Sequence, residues 1–378
     1  MTFDITPHAS RPAAPSRRAF VKGAGASALA AAGGIGTLAA AAAPGAADPS
    51  SSRSADPSAA ARQAGPADLI TKAIPGTDER LPTVGLGMFM TFDVLPGAPR
   101  DHLRDVVQRF WDGGGRVFDV SPLYGNSEYV LGDILSELGI ADDAFIANKI
   151  WTTGAYLSDR RDAERRLEQS LNNLWRERFD LMQVHSLTNA EMNVAILNSW
   201  KDDGRIRYVG VTHHVTHYFP AIEAWIRTGN VDVVQVRYSI FRRDAEERIL
   251  PAAADHGVAV IAHMTLDKGR LHDVVGRRPV PRWAVRELDC QTWAQFYLKY
   301  VISHPAVTCA LVGTRDPEHA ADDVGAMTGP LPDESMRQEM VRHVERIPGF
   351  TDIDSMGWYP GQEFDGRVRL SGAEHVFN

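Results

Sequence analysis

The sequence predicts an α/β fold: a (β/α)8 TIM barrel with a short N-terminal β-hairpin and a C-terminal helix plus tail. Three observations predict it. Eight short apolar runs recur between residues 83 and 314. Helical periodicity fills most of the gaps, and a strand followed by a crossover helix pairs in parallel with the next strand. An open doubly wound sheet would show a Gly-rich phosphate loop after its first strand, and Gly85-Leu86-Gly87 lacks the third glycine and the helix opening.

Taken in order, residues 1–47 hold Ser16-Arg17-Arg18-Ala19-Phe20-Val21-Lys22, then an uncharged Ala- and Gly-rich run. That run is too weakly apolar for a spanning helix, which needs about 20 strongly apolar residues. It reads as a signal-peptide core, with Gly45-Ala46-Ala47 offering small residues for cleavage. The paired arginines resemble a twin-arginine export signal. That resemblance implies passage through the twin-arginine machinery, a periplasmic or extracellular location and no stable membrane anchor. Residues 48–66 are mostly Ser, Ala, Pro, Asp and Gly without apolar periodicity, a flexible linker.

The barrel is expected over residues 67–350 and a tail over 351–378. Ile70 to Ile74, a Pro75-Gly76-Thr77-Asp78 turn and Leu81 onward predict the hairpin. Strands are expected at 83–88, 116–121, 144–150, 179–185, 208–213, 231–238, 258–265 and 309–314. Residues 161–175 place Ala163, Leu167, Leu171 and Leu174 on one helical face, and 190–200 repeat the pattern. Residues 334–346 predict a closing helix. Trp175, Trp200 and Trp225 lie on expected helices and read as packing. Trp358 and Tyr359 in the tail either reach the pocket or pack on the barrel.

Charge and cysteine content narrow the function. The 378 residues carry 48 acidic and 40 basic side chains, a net −8, which argues against a surface held on nucleic-acid phosphates. Two cysteines build no disulfide framework, and no Cys/His cluster has zinc spacing. Cys290, in the seventh helical region, and Cys309, opening the last strand, read as buried small hydrophobes. His213, His214 and His217 raise the question of a metal. The first two are consecutive strand positions that point oppositely, so cofactor and surface roles are expected and no metal.

Polar side chains at the C-terminal ends of barrel strands converge on one site. Asp119 closes the second run, Lys149 the third and His185 the fourth, and Tyr124 follows Asp119 by five residues. An acid, a phenol, an amine and an imidazole on one rim point to positioned proton transfer.

Seven blocks then fall in order: Phe118-Asp119-Val120-Ser121-Pro122-Leu123-Tyr124-Gly125-Asn126-Ser127-Glu128, Leu131-Gly132, Asn148-Lys149, Asp180 to His185, Ile206 to Val211, Gln235 to Ser239, and Gly313 to His319. Together they resemble the aldo-keto reductase family. The resemblance implies reduction of a small-molecule carbonyl, or oxidation of the alcohol, by nicotinamide hydride transfer. NADP(H) is preferred, NAD(H) is possible, and no metal is required. Tyr124 would be the general acid, its pKa lowered from about 10 by Lys149, which pairs with Asp119. His185 would orient the substrate oxygen.

Carried over residue by residue, Thr212, His213 and Gln235 fall at the carboxamide of the nicotinamide. His263 stands where many members stack a tyrosine on that ring. Leu266, after Met264-Thr265, belongs to the pyrophosphate loop. Gly313, Thr314, Arg315 and His319 surround the 2′-phosphate position, where many members use a Lys-Ser pair and an Arg. Asp322 and Asp323 replace Glu and Asn at the adenine end. A second reading is an exported barrel that binds a ligand or partner without turnover. The complete set of four rim residues favours the enzyme, because a pure binder needs no such set.

Overall fold

The computed structural model describes residues 69–151 and 160–358. The expected signal peptide, the linker and the tail beyond 358, including Tyr359, lie outside the described residues. A hairpin comes first: β1 (Thr71–Ala73) pairs antiparallel with β2 (Arg80–Pro82). Eight strands follow: β3 (Val84–Gly87), β4 (Val117–Asp119), β5 (Phe145–Ile150), β6 (Phe179–Val184), β7 (Ile206–His213), β8 (Val233–Arg237), β9 (Ala259–His263) and β10 (Val307–Val312). They close into a barrel in chain order, with β10 returning to β3 and neighbouring strands parallel. The expected fold is the observed one.

Short Val-, Ile- and Ala-rich runs suit this architecture because a barrel strand is covered on both faces. Outward side chains meet the crossover helices. Inward ones, including Val117, Leu181, Val233 and Ile261, form a second cluster with Ile74 and Leu81 of the hairpin. Gly85 keeps the interior from overfilling. A Cβ there would lie 2.7 Å from Leu311 Cδ2 and 3.1 Å from Cys309 Sγ.

The hairpin covers the N-terminal ends of the strands. Lys72 Nζ donates to the carbonyls of His304 (2.6 Å) and Val307 (2.7 Å), where the chain enters β10. Glu79 accepts from Arg207 and from Tyr208 Oη (2.6 Å) at the start of β7. The opposite ends, where the rim residues sit, remain for chemistry.

The helix Arg160–Leu174 buries Ala163, Leu167, Leu171 and Leu174 as its periodicity requires. Trp200 is fully buried and its Nε1 donates to Glu164 (2.8 Å). Trp175 departs from expectation: it is 52% exposed at φ 56°, past the helix end, where the turn aims its ring outward. Cys290 lies in the turn between the helices Arg282–Leu288 and Trp293–Ser303, not within a helix, yet it is buried, as is Cys309. Among the described residues no helix is long and apolar enough to cross a membrane.

Candidate active site

Adjacent parallel strands set the first pair. Asp119 of β4 stands opposite Ala147 of β5, and Lys149 is two residues further along on the same face. Lys149 Nζ donates to both Asp119 oxygens at 2.8 Å and to the Val120 carbonyl at 2.9 Å. The two side chains are 1% and 5% exposed. Burial pushes the Asp119 carboxyl up and the Lys149 amine down, and each group's charge opposes the shift in the other. The amides of Gln235 and Gln183 help hold the Asp119 carboxyl down, and Glu128 supports the Lys149 charge.

Tyr124 is placed by the loop after β4. Its N–H donates to Ser121 O (3.0 Å) and its carbonyl accepts from Ser127 Oγ (2.6 Å). The chain then turns through Gly125 at φ 60°, and Asn126 N–H donates to Asp93 Oδ1 (2.9 Å). Lys149 Nζ lies 5.0 Å from the Tyr124 ring centroid. The His185 ring approaches Tyr124 edge-on at 5.8 Å, and Phe89 does so at 5.0 Å. Ser121 Oγ is 3.4 Å from His185 Nδ1. The four expected rim residues therefore share one site.

Histidines crowd the same mouth, and they are kept neutral. Burial first, then Lys149 and the neighbouring imidazoles, hold His185 well below its ordinary range. Burial and His214 do the same to His263. His213 is lowered to about 4 by burial and by His214. His213 and His214 do not point oppositely as expected. Their rings stack at 5.4 Å and 10°, because β7 ends at His213 and the pleat no longer governs its neighbour. His213 also stacks on Tyr218 at 3.8 Å and accepts from Val215 N–H at Nδ1 (3.1 Å). Among the described residues, no group of three His, Cys, Asp or Glu side chains is arranged to hold a metal.

The remaining sequence candidates line the rim from β7 to β10. Thr212 and Gln235 are register partners on β7 and β8, and Gln235 Oε1 is buried without a hydrogen-bond partner among the described residues. His263 ends β9, and Leu266 lies half-buried beyond it. Gly313 and Thr314 follow β10; Thr314 Oγ1 accepts from Asp316 N–H (3.0 Å). Arg315 is exposed, and His319 is 72% exposed, 3.9 Å from Asp316. Asp322 is occupied structurally, accepting from Thr292 Oγ1 (2.7 Å) and Gln295 Nε2 (2.8 Å). Asp323 is buried, and burial followed by Asp322 pushes its carboxyl well above the usual range.

Sequence reasoning missed a charged group beside this rim. Arg237 closes β8, and its Nη2 donates to Asp267 Oδ1 (2.6 Å). Arg270 Nη2 is 3.1 Å from the same oxygen. A signal existed: Arg237 lies two residues beyond Gln235, so the pleat sends both side chains toward the same side.

Residues 83–340 match the family model described as the Aldo/keto reductase family. The NADH-specific methylglyoxal reductase of Escherichia coli (strain K12) is 25% identical over 325 residues, spanning 71% of this chain and 98% of that protein. L-galactose dehydrogenase of Arabidopsis thaliana is 24% identical over 318 residues, spanning 77% and 97%. The aldo-keto reductase from Klebsiella pneumoniae in complex with NADPH superposes with a TM-score of 0.60 at 21% identity, covering 73% of this chain and 95% of that one. The family match runs from the first barrel strand into the closing helix and contains all four rim residues, so the chain belongs to the aldo-keto reductase family.

Proposed function

We propose that this protein is an oxidoreductase that reduces aldehydes or ketones to alcohols, or runs the reverse, with NADP(H) preferred over NAD(H). The carrying observation is the buried Lys149–Asp119 pair beneath Tyr124, with His185 beside the same ring. The rim suits a dinucleotide. Gln235 Oε1 awaits a donor, and His263 stands at the end of β9 for ring stacking. Gly313 passes so close to Gly87 that a Cβ would meet its carbonyl at 3.3 Å. Exposed Arg315 offers a fork for a 2′-phosphate.

A bound nicotinamide supplies the hydride to the carbonyl carbon. Tyr124 Oη holds the proton that the carbonyl oxygen receives, and as phenolate it takes that proton back in the reverse direction. The Lys149 cation favours the phenolate, which makes Tyr124 usable in both directions. Neutral His185 donates one N–H to the substrate oxygen without supplying a rival acid. Export through the twin-arginine machinery completes this reading, supported by Arg17 and Arg18 ahead of the uncharged run.

Tyr124→Phe tests the assignment. Carbonyl reduction should fall by about 10²–10⁴-fold, while fluorescence titration shows nearly unchanged nucleotide affinity. Near-native turnover in a folded variant would remove Tyr124 from the acid role.

A further inference from the structure

One buried hydroxyl links the loop that carries Tyr124 to the ring of His185. Ser121, two residues beyond Asp119, is fully buried. Its carbonyl accepts from the Tyr124 N–H (3.0 Å) and its Oγ accepts from the Leu123 N–H (3.2 Å), which folds the loop around the phenol. The same Oγ lies 3.4 Å from Nδ1 of His185, at the end of β6. Among the described residues these are the two polar neighbours of the hydroxyl, and His185 Nε2 makes no hydrogen bond.

The chemistry of these groups decides where the hydrogens sit. His185 is held neutral, so one ring nitrogen carries a hydrogen and the other a lone pair. A serine hydroxyl has one hydrogen to donate, and a buried one needs an acceptor inside the fold. Leu123 brings a donor, which leaves Nδ1 as the acceptor for that hydrogen. With Oγ–H donating to Nδ1, the ring hydrogen sits on Nε2 and every group is satisfied. The opposite tautomer would strand the hydroxyl hydrogen. It would also turn a bare Nε2 lone pair on the oxygen of a bound carbonyl, where two acceptors repel. The backbone holds the base of the ring. Ser186 and Leu187 sit at φ 53° and 54°, and Thr188 N–H donates to His185 O (3.1 Å). Two non-glycine residues in the left-handed region are strain of the kind kept at functional sites. That turn fixes where the imidazole starts, not which nitrogen carries the hydrogen.

We propose that Ser121 is a positioning residue that fixes His185 in its Nε2–H tautomer, so that the free nitrogen donates to the substrate carbonyl oxygen beside Tyr124. This rests on the oxidoreductase reading of the site. Because the Ser121 carbonyl also holds the Tyr124 N–H, one residue sets both donors against the same oxygen. Negative charge grows on that oxygen as hydride arrives, so a preset donor gains most in the transition state. Removing the hydroxyl therefore lowers kcat more than it changes KM.

The test uses the full chain as wild type, Ser121→Ala and Ser121→Thr, with isotope-labelled histidine for nitrogen NMR. The His185 signals are those lost in His185→Gln. Wild type should show hydrogen on Nε2 and none on Nδ1. Ser121→Ala should populate both tautomers, and Ser121→Thr, which keeps the hydroxyl, should restore the wild-type pattern. With NADPH and benzaldehyde, kcat should fall about tenfold in Ser121→Ala and recover in Ser121→Thr, while KM and NADPH affinity hardly change. Hydrogen on Nδ1 in wild type would overturn the proposal. So would an Nε2–H tautomer that survives Ser121→Ala intact. Should Ser121→Ala not fold, Ser121→Cys, whose thiol donates only weakly, takes its place with the same expected outcomes. If wild type reduces no aldehyde, the oxidoreductase reading fails instead, and the tautomers still decide whether Ser121 sets the ring.

Discussion

Lys149 and Asp119 hold opposite charges where neither is stable alone. Removing one partner of such a buried pair typically costs about 3–5 kcal/mol, because the other charge is left desolvated. The histidines around them follow the opposite strategy and stay neutral. His185 and His263 lie well below 6.5 and His213 at about 4, each lowered first by burial. As pH falls from 6.5 toward about 4, the unfolded chain takes up protons at His213 that the folded chain refuses, so stability drops through that window. Asp323, whose carboxyl is pushed well above its usual range by burial and then Asp322, works in the other direction, so the informative quantity is a difference. Melting temperatures at pH 7, 5.5 and 4.5 should decline more steeply for wild type than for His213→Gln. Parallel curves would mean that His213 titrates normally.

At the scale of elements, the loop between β4 and the helix Ser127–Glu137 sets the position of the phenol. A Cβ on Gly125, at φ 60°, would fall 2.2 Å from the Asp93 carboxyl carbon. Gly125→Ala should therefore shift the loop, costing about 1–3 kcal/mol of stability. Turnover should fall about a hundredfold, the usual result of a displacement near 1 Å in a reacting group. A variant with native turnover would show that Tyr124 does not depend on this turn. The strands themselves were legible because a buried parallel strand is a short apolar run between amphipathic stretches. Most of the observed barrel strands lie within a residue or two of their expected limits. Asp119, Lys149 and His185 were legible for a related reason, being polar groups at or near the ends of such runs, with Tyr124 in the loop that follows the first of them. Arg237, Asp267 and Arg270 were not, because a charge near a strand end reads as a surface residue until its neighbours in space are known. His214 and Trp175 failed for a local reason: each lies just past an element, where periodicity no longer predicts direction.

Across the whole molecule, the two ends of the barrel divide the work. The hairpin ties down the entry ends of β7 and β10, while the rim candidates lie near or beyond the exit ends. Changes at exposed rim positions should alter ligand preference and leave the melting temperature nearly untouched. Arg315→Ala is the sharpest case, because this side chain is exposed and is the one proposed for the 2′-phosphate. NADPH affinity should fall about tenfold or more, the worth of a charge-assisted hydrogen bond, while NADH affinity hardly changes. Wild-type NADPH binding should also weaken with salt more steeply than NADH binding. Equal losses for both nucleotides would place Arg315 elsewhere. The two cysteines carry a separate consequence. Both are free and fully buried, and burial raises Cys290 to about 11 and Cys309 higher still. Thiolate is the form that reacts with peroxide or exchanges with a disulfide. Held as thiols inside the fold, neither sulfur offers a handle to oxidants or to disulfide-forming catalysts. The folded barrel thus keeps both sulfurs as thiols in reducing and oxidising surroundings alike.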